Sequence, residues 1–127
     1  MRTLVVDDEF VALTKLTTLL SKYGKCEAAT NGVQAFKMFT KAVNRLQPYD
    51  LITIDIEIPE MNGFELLKNI CEEEKAMKVL PSKKIMISVG GSPDNIYRAA
   101  INACDVFLIK PITKEVLEIK LKELGLI

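Results

Sequence analysis

The sequence predicts an α/β protein, a doubly wound five-stranded parallel sheet covered by helices in a three-layer (βα)5 sandwich. Three observations predict it. Short apolar, β-branched runs alternate five times with segments whose apolar residues recur at helical spacing. The runs are near-continuously apolar, as strands covered on both faces are. No linker or low-complexity stretch interrupts the alternation over 127 residues, a length that suits one domain with a sizeable core.

The elements follow in order. Thr3–Val6 is a buried strand, and Leu13, Leu16, Leu20 and Tyr23 then form a helical stripe that Gly24 ends. Cys26–Ala29 is a weak second strand. Asn31-Gly32 opens a helix with Phe36, Phe39, Val43 and Leu46 on one face, and Pro48 stops it. Leu51–Ile54 is the third strand. Gly63 starts a third helix that buries Leu66, Leu67, Ile70 and Cys71. Lys84–Ser88 is the fourth strand. Ser92-Pro93, a cap followed by proline at the first helical position, begins a helix with Ile96, Tyr97, Ala100 and Ile101 at helical spacing. Val106–Ile109 is the fifth strand, and Thr113 caps a last helix through Leu117, Leu121 and Leu124. Right-handed crossovers then limit the topologies available.

Composition narrows the chemistry. Lys plus Arg and Asp plus Glu both number 17, so the formal net charge is zero, and no basic cluster marks a nucleic-acid surface. No apolar run approaches the roughly 20 residues that span a bilayer, and the first eight residues turn acidic too early for a secretory signal. The expectation is a cytoplasmic protein with neither nucleic acid nor membrane as partner. Histidine is absent, which removes zinc–histidine sites and Ser-His or Cys-His nucleophile pairs. Cys26, Cys71 and Cys104 are widely spaced and read as small core residues rather than as a redox or metal motif.

In doubly wound sheets, sites form beyond the carboxyl ends of the strands. Asp7, Asp8 and Glu9 follow the first strand, Asp55 ends the third, Ser88 the fourth, and Lys110-Pro111 follows the fifth. Each residue alone has an ordinary explanation as a cap, a solvated amine or a backbone partner. Together they are complementary. Clustered carboxylates repel unless a cation neutralises them, and oxygen ligands without His or Cys suit a hard ion such as Mg²⁺. A cation held by Asp8 and Asp55 draws phosphate oxygens toward Asp55, where Lys110 and Ser88 can meet them. That set describes in-line phosphoryl transfer to a carboxylate nucleophile. No G-x-x-x-x-G-K-[ST] or G-x-G-x-x-G stretch supplies a nucleotide cradle.

Four fragments, VVDDE (Val5–Glu9), DIEIPEMNG (Asp55–Gly63), MISV (Met86–Val89) and FLIKP (Phe107–Pro111), resemble the bacterial response-regulator receiver domain, the CheY-like family. The resemblance covers essentially the whole chain and implies the flavodoxin/CheY-like version of the fold. It implies a single receiver domain over residues 1–127 without an output domain. Asp55 would accept phosphate from the phosphohistidine of a sensor kinase. Asp7, Asp8, Asp55 and the backbone carbonyl of Glu57 would hold Mg²⁺, with Asp8 rather than Asp7 the direct ligand. Lys110 would contact the phosphate and precede a cis peptide bond to Pro111. Ser88 and Phe107 would act as a hydroxyl–aromatic switch. The face of the fourth helix, fifth strand and fifth helix, including Asp94, Tyr97, Arg98 and Ile112, would then change its affinity for a downstream protein or a histidine phosphotransfer protein.

The chain departs from the family's commonest pattern at Val89, where a smaller residue is usual, and at Cys104-Asp105, where a glycine-containing turn is usual. Glu57 and Gly90 fall where the family tunes autodephosphorylation. Two other readings compete. A carboxylate-dependent phosphatase of the haloacid dehalogenase type requires D-x-D-x-[TV] after the first strand, which is missing. A receiver fold acting by protein contact independently of phosphate usually lacks one of the acids or the lysine, and all are present.

Overall fold

Strands and helices alternate from one end of the chain to the other in the computed structural model, which describes residues 1–102 and 104–127. The order is β1 (Arg2–Val6), α1 (Phe10–Ser21), β2 (Lys25–Ala29), α2 (Gly32–Asn44), β3 (Leu51–Asp55), α3 (Gly63–Met77), β4 (Lys83–Ser88), α4 (Pro93–Ile101), β5 (Val106–Ile109) and α5 (Lys114–Glu123). All strand pairs are parallel, in the spatial order β2-β1-β3-β4-β5. This is the doubly wound α/β sandwich that the sequence predicts.

Strand alternation sorts the core into two layers. Leu4, Val6, Ile52, Ile54 and Met86 point to one side, where α2, α3 and Ala99 of α4 cover them. Val5, Leu51, Ile85, Ile87 and Leu108 point to the other, beneath α1 and α5. The chain adds β2 on one flank of β1 and then crosses to add β3 on the other. The switch point therefore lies between the carboxyl ends of β1 and β3, and the residues found there are Asp7 and Asp55.

Polar side chains fix four helix starts. Asn31 accepts from the Gln34 N–H at 2.7 Å, and Asn62 from the Glu65 N–H at 2.9 Å. Ser92 and Thr113 each accept an N–H at 3.2 Å, from Asn95 and Val116. Gly63 is required by contact: a Cβ there would lie 2.6 Å from the Asp55 carbonyl oxygen and 2.7 Å from Ile56 Cα. Helix α3 thus starts hard against the end of β3.

The structure corrects the sequence reading at the second helix and sets the phase of the fourth, which spacing alone left open. Leu46, expected on the buried face of the second helix, is 89% exposed with φ 59. The helix has already ended at Asn44, and the bonds Leu46 N–H to Val43 O and Gln47 N–H to Ala42 O close a Schellman turn around it. Helix α4 buries only Ala99, whereas Ile96, Tyr97 and Ile101 are 44%, 66% and 61% exposed. Helical spacing shows which residues share a face, not which face meets the sheet.

Candidate functional site

Asp7 and Asp55 leave the ends of β1 and β3 in matching ways. The Oδ1 of Asp7 accepts from the Glu9 N–H at 2.9 Å, and the Oδ1 of Asp55 accepts from the Glu57 N–H at 2.9 Å. Each carboxylate is thereby tied to its own turn, with its second oxygen free to face the crevice. Those second oxygens converge on one amine. Lys110 Nζ lies 3.0 Å from Asp7 Oδ2 and 2.7 Å from Asp55 Oδ2. Lys110 itself is placed by the sheet edge, since its N–H donates to the Ser88 carbonyl at 2.8 Å, and the Lys110–Pro111 peptide is cis.

Asp8 completes the cluster from the exposed side. Carboxylate oxygens of Asp7, Asp8 and Asp55 all lie within 4.8 Å of one another. The first two side chains differ sharply in setting, for Asp7 is buried and Asp8 exposed. Burial raises the pKa of Asp55 above its ordinary 3.8, with the Asp7 charge adding to the effect. The Lys110 contact and the Glu57 N–H oppose this without cancelling it. Burial also works against the charge of Lys110, but the two carboxylates outweigh it and hold the ammonium above its ordinary 10.5.

Three carboxylates gather where one lysine bridges two of them, a formal excess of two negative charges in a partly buried pocket. An all-oxygen donor set with that excess fits a hard divalent cation, and the fit is to Mg²⁺ better than to a soft metal.

The remaining sequence-predicted positions ring this cluster. Ser88 is buried at the end of β4, beside the end of β3, and its Oγ accepts from the Gly90 N–H at 3.3 Å. Phe107 is half-buried against the core that contains Ile54 and Met86. The Glu57 side chain is exposed, and Val89 stands exposed at the mouth. A cavity of about 390 Å³ opens beside Asp7 and Lys110, walled by Val11, Leu16, Ile87 and Ile112. Ile112 is thus buried in the core on the α1–α5 side rather than displayed on a binding face. Arg98 is exposed, with its guanidinium 4.2 Å from the Phe64 ring centroid.

Sequence reasoning missed a second ionic group at the opposite end of the sheet. Lys84 Nζ meets Glu74 Oε1 at 2.6 Å and the Ser82 carbonyl at 2.7 Å, with the two side chains 3% and 5% exposed. Glu74 Oε2 accepts from the Ser82 N–H at 2.8 Å and from its Oγ at 2.9 Å. The only signal was Lys84 itself, a charge at the start of an apolar strand. The unusual Cys104-Asp105 turn is pinned to the same strand: the Lys84 N–H donates to Asp105 Oδ2 at 2.8 Å and the Asp105 N–H to the Lys84 carbonyl at 3.0 Å. The three cysteines are free and half-buried, and burial pushes all three thiols up, away from the reactive thiolate. Among the described residues no helix is long and apolar enough to cross a membrane.

Comparison with known proteins agrees with this geometry. The model of the response regulator receiver domain matches residues 3–122. A chemotaxis protein CheY homolog of Campylobacter jejuni is 30% identical over 125 residues, which cover 97% of this chain and 91% of that protein. The chain also matches "Probable histidine kinase 2" of Oryza sativa at 29% identity over 124 residues, but spans only 12% of that protein's length. Among solved structures, Vibrio cholerae CheY4 superposes with a TM-score of 0.83 at 24% identity, covering 96% of both chains. The CheX–CheY–BeF3–Mg²⁺ complex of Borrelia burgdorferi superposes with a TM-score of 0.79 at 28% identity, covering 98% of this chain and 89% of that one. The chain belongs to the response regulator receiver domain family, the CheY-like domains of two-component signalling.

Proposed function

We propose that this domain is a phosphorylation-operated switch whose phosphoacceptor is Asp55. The observation that carries the proposal is the convergence of Asp7, Asp8 and Asp55 carboxylate oxygens within 4.8 Å of one another, with the Lys110 amine bridging Asp7 and Asp55. An Asp55 carboxylate oxygen attacks the phosphorus of a phosphohistidine on a sensor kinase or a histidine phosphotransfer protein. The O–P bond forms as the N–P bond breaks, and the imidazole keeps the electron pair. Asp8, Asp55 and the backbone carbonyl of Glu57 would hold Mg²⁺, with Asp7 completing the acidic site. That ion supplies positive charge for the transferring phosphoryl oxygens when bound.

The chain's own residues do the rest. Lys110, already anchored on Asp7 and Asp55, neutralises charge on the phosphoryl group. Ser88 turns its hydroxyl from the Gly90 N–H to donate to a phosphoryl oxygen. Acyl phosphate adds charge in the crevice, and Ser88 and Phe107 shift inward together. The face of α4, β5 and α5 reads out that shift to a partner protein. It displays Asp94, Tyr97, Ile101 and Ile109, all exposed. The domain therefore signals and is not an enzyme with an external substrate, although its residues assist their own phosphorylation and dephosphorylation.

The test is to incubate the protein with a small phosphodonor such as acetyl phosphate, with and without Mg²⁺, and measure its intact mass. One phosphoryl group is expected on the native protein with Mg²⁺ and none on Asp55→Asn. No addition to the native protein, or equal addition to both, would overturn the proposal.

A further inference from the structure

The loop after Asp55, residues 56–62, is held from a helix that contributes nothing to the acidic cluster. Gly32 opens α2, and a Cβ placed there would lie 2.6 Å from Met61 Cβ, 2.6 Å from the Met61 carbonyl oxygen and 3.1 Å from Met61 Cγ. Side-chain carbons do not approach that closely, so any other residue would push the loop away. The φ of Gly32 makes no such demand; the requirement is one of contact alone.

Met61 is in turn fixed from several directions. Its N–H donates to the Pro59 carbonyl at 2.8 Å, and its Sδ accepts from Asn69 Nδ2 at 3.5 Å. Its side chain packs on the core that holds Ile56 and Ile58. The neighbouring Glu60 sits at φ 69, a conformation a non-glycine residue avoids unless its surroundings impose it. Gly63 grips the far end of the loop against the Asp55 carbonyl, and its N–H donates to the Ile56 carbonyl at 2.9 Å. Between the two grips lies Glu57, whose N–H orients the Asp55 carboxylate.

We infer that Gly32 and Met61 are positioning residues for the metal site: their close contact holds the Glu57 main chain, and with it the Asp55 carboxylate, in the arrangement that accepts a divalent cation. The inference rests on the Mg²⁺ reading given above. It assigns a role in that site to α2, a helix that supplies none of the acidic cluster.

The experiment titrates Mg²⁺ into the parent, Gly32→Ala, Met61→Gly and the double variant. Binding is read from the NMR shifts of the Asp55 and Glu57 amides, and thermal unfolding without Mg²⁺ reports on the fold. Gly32→Ala is expected to bind Mg²⁺ about tenfold more weakly or worse, as outer-shell changes do. Met61→Gly is expected to weaken binding as well. The double variant should lose less than the sum of the two single losses, because both changes break the same contact and the Met61 carbonyl oxygen still meets the added methyl. Parental affinity in Gly32→Ala, or simple addition of the two effects, would overturn the inference. Should Gly32→Ala fail to fold, Met61→Gly, which adds no atoms, decides: weakened binding supports the inference and parental affinity overturns it. A parent that binds no Mg²⁺ would instead overturn the reading of the site itself, and this inference with it.

Discussion

Asp55 and Lys110 form a 2.7 Å ion pair although β4 lies between the strands they end. The amine crosses the mouth of β4 and reaches Asp7 beyond, at 3.0 Å, so one lysine ties three strand ends together. Even with this pairing, burial and the neighbouring Asp7 charge leave Asp55 costly to ionise, and that cost is measurable.

Burial holds the pKa of Asp55 above 3.8 in the folded state. Unfolded, the residue ionises near that ordinary value. The stability it contributes is therefore fully present below pH 3.8 and is lost as pH rises through the folded pKa. At neutral pH without divalent metal, Asp55→Asn should be more stable than the parent, and the difference should vanish in acid. Urea unfolding of both proteins across that range, with chelator present, checks this. A less stable Asp55→Asn at neutral pH would contradict it.

The Glu74–Lys84 pair makes a prediction of a different kind. Lys84→Met leaves a buried carboxylate without its counter-charge, and the expected loss is about 3–5 kcal/mol. Combining it with Glu74→Gln removes the orphaned charge, so the double variant should lose much less than the sum of the single losses. Urea denaturation of the four proteins in a double-mutant cycle measures the coupling. Additive losses would show that the two side chains do not depend on each other.

Thr3 Oγ1 and Thr53 Oγ1 are buried without a hydrogen-bond partner among the described residues. Valine matches threonine in shape and carries no hydroxyl to desolvate. Thr53→Val should therefore stabilise the fold by about 1 kcal/mol, seen as a higher urea midpoint with an unchanged slope. A loss of stability would mean that the hydroxyl is satisfied in solution.

Much of this was legible in the sequence because each relevant signal was local. The five apolar runs, the caps at Asn31, Ser92 and Thr113, and the acids directly after apolar runs require no knowledge of distant contacts. Parallel pairing then brings the carboxyl ends together, which is why Asp7, Asp8, Asp55 and Lys110 could be grouped before any coordinates. What escaped depends on phase and on tertiary contact. Ile96, Tyr97 and Ile101 have helical spacing, yet α4 turns Ala99 inward, the small residue that allows close approach. Leu46 was drawn into a stripe that the chain leaves through a left-handed turn. Glu74 and Lys84 are ten residues apart on a helix and a strand, and only the fold makes them a pair. The contact of Gly32 with Met61 has no sequence signal beyond the glycine itself.

The central claim is that Asp55 is the group that carries phosphate. Acyl phosphates are cleaved reductively by borohydride, which converts a phosphorylated aspartate to homoserine. After treatment with acetyl phosphate and Mg²⁺, followed by borohydride and peptide mass analysis, homoserine should appear at position 55 and at no other aspartate. Homoserine at Asp7 or Asp8, or at no position, would contradict the account.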